Sequence, residues 1–261
     1  MNTIIVPVDF NDASLHAATY AAQLISGHAG VTMILYHTFS KDSEEASAQE
    51  TLEQIKIKLV EKFTIIIEIL NHKDDDFVNG LERAVRHRGV NLAIMGITSR
   101  SAIGQVVIGS HTYKFAERKV CPVLIVPETA MFREINNVML ASDFKNTQNV
   151  TPSVPINSFL RFFRPKLHIV NVDQSHYVAL SEQHEKEKSQ LAAMFAAFNP
   201  EFYFMRLYDV DEALNLFAEE KNIDLIITIQ HHHSLMEKLF KRSHTKSLSY
   251  QSHVPILVVH E

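Results

Sequence analysis

Short, unbroken apolar runs alternate along this chain with longer stretches whose apolar positions recur every three or four residues. In the first half, residues 3–8, 31–37, 65–70, 91–95 and 122–126 are runs of strand length, rich in Val and Ile. The segments between them carry helical spacing. Leu15, Ala18, Ala22 and Ile25 lie on one side of a helix that Asp12 or Ser14 would cap and Gly27 would end. Leu52, Ile55 and Leu59 recur within the polar stretch 43–62, and Phe77, Leu81 and Val85 form one stripe over 76–88. Residues 110–119 form the fourth helix. Strand–helix alternation of this kind predicts a parallel sheet, because parallel neighbours need long crossover returns. Ile4-Ile5-Val6 and Leu92-Ala93-Ile94-Met95 are apolar without alternation, so the first and fourth strands should be buried on both faces.

The same series then repeats. Ile4-Ile5-Val6-Pro7-Val8-Asp9-Phe10 returns as Val138-Met139-Leu140-Ala141-Ser142-Asp143-Phe144, a shift of 134 residues. Asn91-Leu92-Ala93-Ile94 returns as Asp224-Leu225-Ile226-Ile227, and Cys121-Pro122-Val123-Leu124 as Val254-Pro255-Ile256-Leu257, both shifted by 133. Three landmarks in one order, agreeing to one residue, indicate an internal duplication. Strands are predicted at 137–141, 167–172, 202–207, 224–229 and 255–259, and helices near 149–162, 178–198, 211–220 and 245–251. Pro152 and Pro155 should delay or distort the first of these helices. The fold class is α/β, with two tandem doubly wound five-stranded parallel sheets. The domains are assigned to residues 1–128 and 136–261, joined by a short polar link that begins at Pro127-Glu128-Thr129.

Composition narrows the function. An apolar fraction of 46% with 21% charged residues excludes a largely disordered or fibrous chain. No apolar run approaches the ~20 residues that cross a bilayer, and the first residues lack a secretory layout. The single cysteine, Cys121, excludes an internal disulfide and fits a reducing cytoplasm. A net charge of −5 argues against a general nucleic-acid binder, which needs a concentrated basic face.

In doubly wound sheets, ligands bind outside the carboxyl ends of the strands, where strand order reverses. That places Asp9, Thr38 and the segment from Gly96 to Ser110 at the candidate edge. Gly96 at the exit from a buried strand would let backbone amides approach a ligand, and Gly109-Ser110 would open a helix with free N–H groups and a hydroxyl. Helix N-termini favour anions, which makes phosphate the natural guest. A surface loop with incidental glycines is the competing reading of the same residues.

The spacing Gly96-x2-Ser99-x9-Gly109-Ser110 resembles the nucleotide loop of the universal stress proteins, Gly-x2-Gly-x9-Gly-Ser/Thr. The opening Val6-Pro7-Val8-Asp9-Phe10 and the closing Cys121-Pro122-Val123-Leu124-Ile125-Val126-Pro127 are similar to that family's first and last strands. The resemblance covers the whole chain as a tandem pair. It implies a Rossmann-like fold of strand order 3-2-1-4-5, pairing of the domains through their fifth strands with or without homo-oligomers, and ATP or AMP as ligand, with or without Mg2+. It implies no redox cofactor. By position, Asp9 would accept from the ribose and Pro7-Val8 would line the adenine, while the Thr38 backbone would meet the adenine edge. Met95 and Gly96 would border the ribose and α-phosphate, and Gly109, Ser110 and the His111 amide would hold the outer phosphates. Ser99 departs from the pattern, and serine at a positive φ costs ~1 kcal/mol. The function this implies is a nucleotide-binding regulatory protein of the stress response. The alternatives are an interaction module that binds no nucleotide and a slow ATPase or phosphotransfer enzyme; the latter lacks a visible base or a lysine in the loop.

The second half reads as a degenerate partner. All seven glycines lie at or before Gly109. Gly96 becomes Ile229, Gly109 becomes Arg242, and Leu235, Met236, Leu239 and Phe240 suggest a short amphipathic helix where a phosphate would sit. His231, His232, His233, His244 and His253 invite a metal reading. Consecutive residues cannot converge, no carboxylate or cysteine completes a set, and polar loop histidines are the simpler account. Lys238, Lys241, Arg242 and His244 could alternatively contact an anion. Cys121 before a proline reads as a small buried residue, Asp74-Asp75-Asp76 as helix capping, and the run 182–188 as an exposed helix face.

Overall fold

The computed structural model describes residues 1–97, 110–172, 182–205, 210–230 and 253–260. The described residues up to Phe132 form one compact unit, and those from Arg133 onward form a second.

In the first unit, β1 (Thr3–Pro7), β2 (Thr32–Phe39), β3 (Ile66–Lys73), β4 (Leu92–Ile97) and β5 (Val123–Pro127) form a parallel sheet of order β3-β2-β1-β4-β5. Helices α1 (Asp12–Ile25), α2 (Asp42–Lys62), α3 (Phe77–Arg88) and α4 (Ser110–Ala116) make the connections. Ile4, Ile5, Val6, Leu92, Ala93, Ile94 and Met95 are all buried, as unbroken apolar runs require. The cap of α1 is Asn11, one position ahead of the predicted candidates. Its side chain accepts from the Ser14 amide at 2.8 Å, while the Ser14 hydroxyl turns back to donate to the Asn11 carbonyl at 3.0 Å. The inner face of α1 is alanine: Ala13, Ala17, Ala18, Ala21 and Ala22 are buried. Small side chains let this helix lie close to the sheet. Asp76 caps α3 by accepting from the Val78 and Asn79 amides, and Gly89, at φ +58°, ends it in the left-handed conformation.

The second unit has the same plan. β6 (Asn137–Ala141), β7 (Lys166–Val172), β8 (Glu201–Met205), β9 (Leu225–Gln230) and β10 (Ile256–His260) are parallel in the order β8-β7-β6-β9-β10. Counted within the unit, this is again 3-2-1-4-5. Its first helix is broken into α5 (Thr147–Val150) and α6 (Ser153–Phe163). Pro152 forces Thr151 into an extended conformation, whereas Pro155 sits in the first turn of α6, where its missing N–H is not needed. Helices α7 (Glu182–Met194) and α8 (Val210–Glu220) follow, with one 3₁₀ turn over Ala196–Phe198. The helices expected at 235–240 and 245–251 lie outside the described residues.

One expectation is overturned here. The charged run on α7 is not wholly solvated: Glu187 is only 3% exposed. Its carboxylate accepts from the Thr147 amide at 2.8 Å and the Thr147 hydroxyl at 2.7 Å, at the start of α5. Gln183, one turn earlier on α7, donates to its other oxygen. A carboxylate replaces an apolar residue on this buried stripe because the Thr147 amide would otherwise be unpaired.

A second buried polar residue sits at the amino edge of this sheet. His168, 2% exposed, packs against Tyr203 and Phe217, with Nε2 3.3 Å from Asn137 Oδ1 and Nδ1 3.7 Å from Glu201. Burial holds its imidazole below the usual range, against the pull of Glu201. The neutral form is the folded form. Its stabilising contribution is therefore present above the unfolded value of about 6.5 and is lost as pH falls from there through the depressed folded value. The urea midpoint of the second unit is expected to fall between pH 7.5 and pH 5. His168→Leu should flatten that dependence, and an unchanged slope in the variant would refute the assignment.

Candidate functional site

In the first unit β1 lies between β2 and β4, so its carboxyl end opens at the point where strand order reverses. Pro7 and Val8 are buried there, and Val8 is locked in place on both sides of its peptide plane. Its amide donates to the Tyr36 carbonyl at 2.8 Å, and its carbonyl accepts from His37 Nδ1 at 2.6 Å. The chain then turns abruptly. Phe10 adopts φ +66°, a left-handed conformation that costs a residue with a Cβ ~1–2 kcal/mol. Its ring rests on His37, with centroids 4.5 Å apart.

This turn leaves Asp9 exposed at the mouth of the crevice. Its carboxylate is already engaged, accepting from the Asn11 side-chain amide at 2.8 Å and the Asn11 backbone amide at 3.3 Å. Because Asn11 caps α1, the carboxylate, the cap and the helix start form one connected group. Neither Phe10 nor Asn11 was singled out from the sequence. The signal for Phe10 was the repeated Asp-Phe pair, since Phe144 takes the same strained conformation at φ +54°; Asn11, matched by Lys145, had none.

The other candidates divide. Thr38, expected just past β2, lies inside it, opposite His72, because β3 runs long enough to pair β2 as far as Phe39. Met95 is a buried core residue opposite Ile125. Gly96 is likewise within β4 rather than in the turn that follows. A methyl group on it would fall 2.2 Å from the Ala13 carbonyl oxygen and 3.2 Å from the Ser14 nitrogen. The first turn of α1 therefore lies directly on this glycine. Ser99 and Gly109 lie outside the described residues. Ser110 opens α4, and the exposed His111 ring sits 5.1 Å from Phe77. His111, Lys114 and Arg118 share a cleft of about 570 Å³ with Asp75, Asp76 and Glu117.

The equivalent edge of the second unit is built differently. Asp143 is exposed, and Asn171 donates to the Ser142 carbonyl at 3.0 Å, taking the part of His37. Phe144, however, is buried against Phe204 and Phe202. Glu187 occupies the donors at the start of α5. Ile229 fills the position of Gly96, and neither α5 nor α6 packs on β9 as α1 packs on β4. The run His231 to His233, the cations from Lys238 to Arg242 and His244 lie outside the described residues; His253 is exposed.

Among the described residues no group of three or more His, Cys, Asp or Glu side chains could hold a metal. Asp74 pairs with Arg83, while Asp76 is committed to its cap. Cys121 is buried, and that burial pushes its thiol up to about 12, well away from a nucleophile's range. No described helix is long and apolar enough to cross a membrane.

The sequence matches the family model described as the universal stress protein family over residues 1–127 and again over 164–260. The second match starts only after β6, α5 and α6. The chain shares 16% identity with a universal stress protein from Archaeoglobus fulgidus DSM 4304, covering 99% of this chain and 98% of that one at a TM-score of 0.74. A putative universal stress protein from Pseudomonas aeruginosa UCBPP-PA14 gives 12% identity, 100% and 93% coverage and a TM-score of 0.61. A functionally unknown protein from Pseudomonas aeruginosa PAO1 gives 11%, 100% and 92%, and 0.61. At these identities the likeness establishes the fold. Among curated proteins, none matches the sequence.

Proposed function

Because this chain belongs to the universal stress protein family, we propose that its first unit binds an adenine nucleotide, ATP or AMP, and serves a regulatory role in the stress response. The observation that carries this reading is Asp9: an exposed carboxylate at the switch point, held at the head of a capped helix by a strained Phe10. A carboxylate is an acceptor for the two hydroxyls of a ribose. In this reading Pro7 and Val8 line the base and Thr38 meets its edge. Met95 and Gly96 border the sugar, and Ser99, Gly109, Ser110 and the His111 amide take the phosphates. The second unit contributes no nucleotide site.

Calorimetry with ATP, ADP and AMP is expected to give about one bound nucleotide per chain, and Asp9→Ala should weaken binding at least about tenfold by removing charge-assisted hydrogen bonds. Absence of heat with all three nucleotides would remove the proposal.

Gly96 favours a second reading, an interaction module without nucleotide. The contact of α1 with that glycine explains it without any ligand. Ser99→Gly separates the two. It should strengthen nucleotide binding on the first reading and create none on the second.

A further inference from the structure

We propose that helix α1 couples the candidate site to the segment that leaves β5, residues 128–132, with the Asp9–Asn11 bond as the switch. This rests on the ligand reading above. Both oxygens of Asp9 accept from Asn11, and Asn11 in turn holds the Ser14 amide at the start of α1. A ribose diol donating to Asp9 shares those oxygens with Asn11, whose own Oδ1 makes the α1 cap, so occupancy and the cap are linked through this one residue.

The same helix grips the outgoing segment less than two turns further on. His16 Nε2 donates to the Ala130 carbonyl at 2.8 Å, and Tyr20 meets Phe132 edge-on with ring centroids 5.4 Å apart. Residues 128–132 also return to the candidate edge, because the Glu128 amide donates to the carbonyl of Ile97, the residue after Gly96. Between these two ends α1 lies on the sheet through Ala13, Ala17 and Ala18, with the first of them directly over Gly96, and Leu24 and Ile25 bury its far end. Packed this closely, α1 moves as one body, so a displacement at its start is carried to His16 and Tyr20.

The second copy shows what is missing when this device is lost. The positions matching His16 and Tyr20 are Val150 and Val154, on either side of the break at Pro152, and Val154 is 79% exposed. Glu187 rather than an Asp–Asn pair holds its helix start.

The test uses the full chain carrying Met131→Cys, since Met131 is 80% exposed and the native Cys121 is buried. Alkylation by iodoacetamide is timed with and without saturating ATP, and ATP binding is measured in parallel by calorimetry. ATP should change the labelling rate by about fivefold or more. The change should vanish in His16→Ala and persist in His16→Gln, whose side-chain amide still donates to Ala130. ATP binding with no change in labelling, or with an equal change in His16→Ala, overturns the coupling and leaves the nucleotide reading intact. No heat with ATP, ADP or AMP overturns both.

Discussion

Gly96→Ala should destabilise the first unit by about 3 kcal/mol, near the upper end of what overpacking costs. The reason is the identity of the atoms in the way. The added methyl meets the carbonyl oxygen and carbon of Ala13 at 2.2 and 2.6 Å, and these are backbone atoms within a helix that is itself packed on the sheet. No side-chain rotation relieves that contact, so α1 must move away and uncover the alanine face beneath it. Gly89→Ala is the control. Gly89 also resists replacement, but only through its φ of +58°, with open space where the methyl would go, so the cost should be about 1 kcal/mol. Urea unfolding of the two variants side by side checks the ranking. A Gly96→Ala protein as stable as Gly89→Ala would mean that α1 does not lie on β4 as described.

Gly96 also marks what the sequence can and cannot say. A glycine at the end of a buried strand, in a doubly wound unit, has two uses: room for a ligand or room for a helix. The residue type is the same for both. Only the position of Ala13 shows that it makes room for the helix, and that position depends on the tertiary path of α1. The cap of α1 was hidden for a related reason. Asn11, Asp12 and Ser14 are all capping residue types within four positions, and the choice falls to the one that the strained Phe10 presents to the helix start. The strands were more legible, while their order came from the family resemblance. Buried parallel strands leave unbroken apolar runs, and a duplicated sequence displays each run twice. Thr38 was misplaced by two residues because the extent of β2 is set by its partner β3, whose polar end, Asn71-His72-Lys73, gives no apolar signal.

Glu187 was misread because its neighbours on α7 are charged, yet its spacing carried a hint. Gln183, Glu187 and Leu191 lie four residues apart on one stripe, and both Leu191 and Glu187 are buried. A charged residue on the buried stripe of a helix needs partners, and here they belong to a helix forty residues away in sequence. Patterning within α7 could show that the position faces inward. It could not show what Glu187 meets there.

That contact sets the second large effect. Glu187→Ala should cost about 1–3 kcal/mol, because it leaves the buried Thr147 amide without an acceptor, while the Thr147 hydroxyl falls back on Gln190 Oε1 at 3.1 Å. Glu187→Gln should cost less, since an amide oxygen can still accept from Thr147 while losing the charge. The pH dependence gives an independent signature. Burial works to raise the Glu187 carboxyl, but the hydrogen bonds from Thr147, Gln183 and Asn146 outweigh it and hold the group below its ordinary value of 4.5. The ionised form is the folded form, so its contribution is present above pH 4.5 and is lost as pH falls through the depressed folded value. This window lies below the one set by His168. Wild type should lose stability in two acid stages. His168→Leu should remove the upper one, and Glu187→Ala should shrink the lower one, to which Asp76 and Glu201, also held below the ordinary carboxyl range by their hydrogen bonds, still contribute. Urea midpoints measured from pH 7.5 down to pH 3 distinguish the three. A Glu187→Ala protein whose lower stage is as large as that of wild type would show that the α7–α5 contact is not what ties this helix start down.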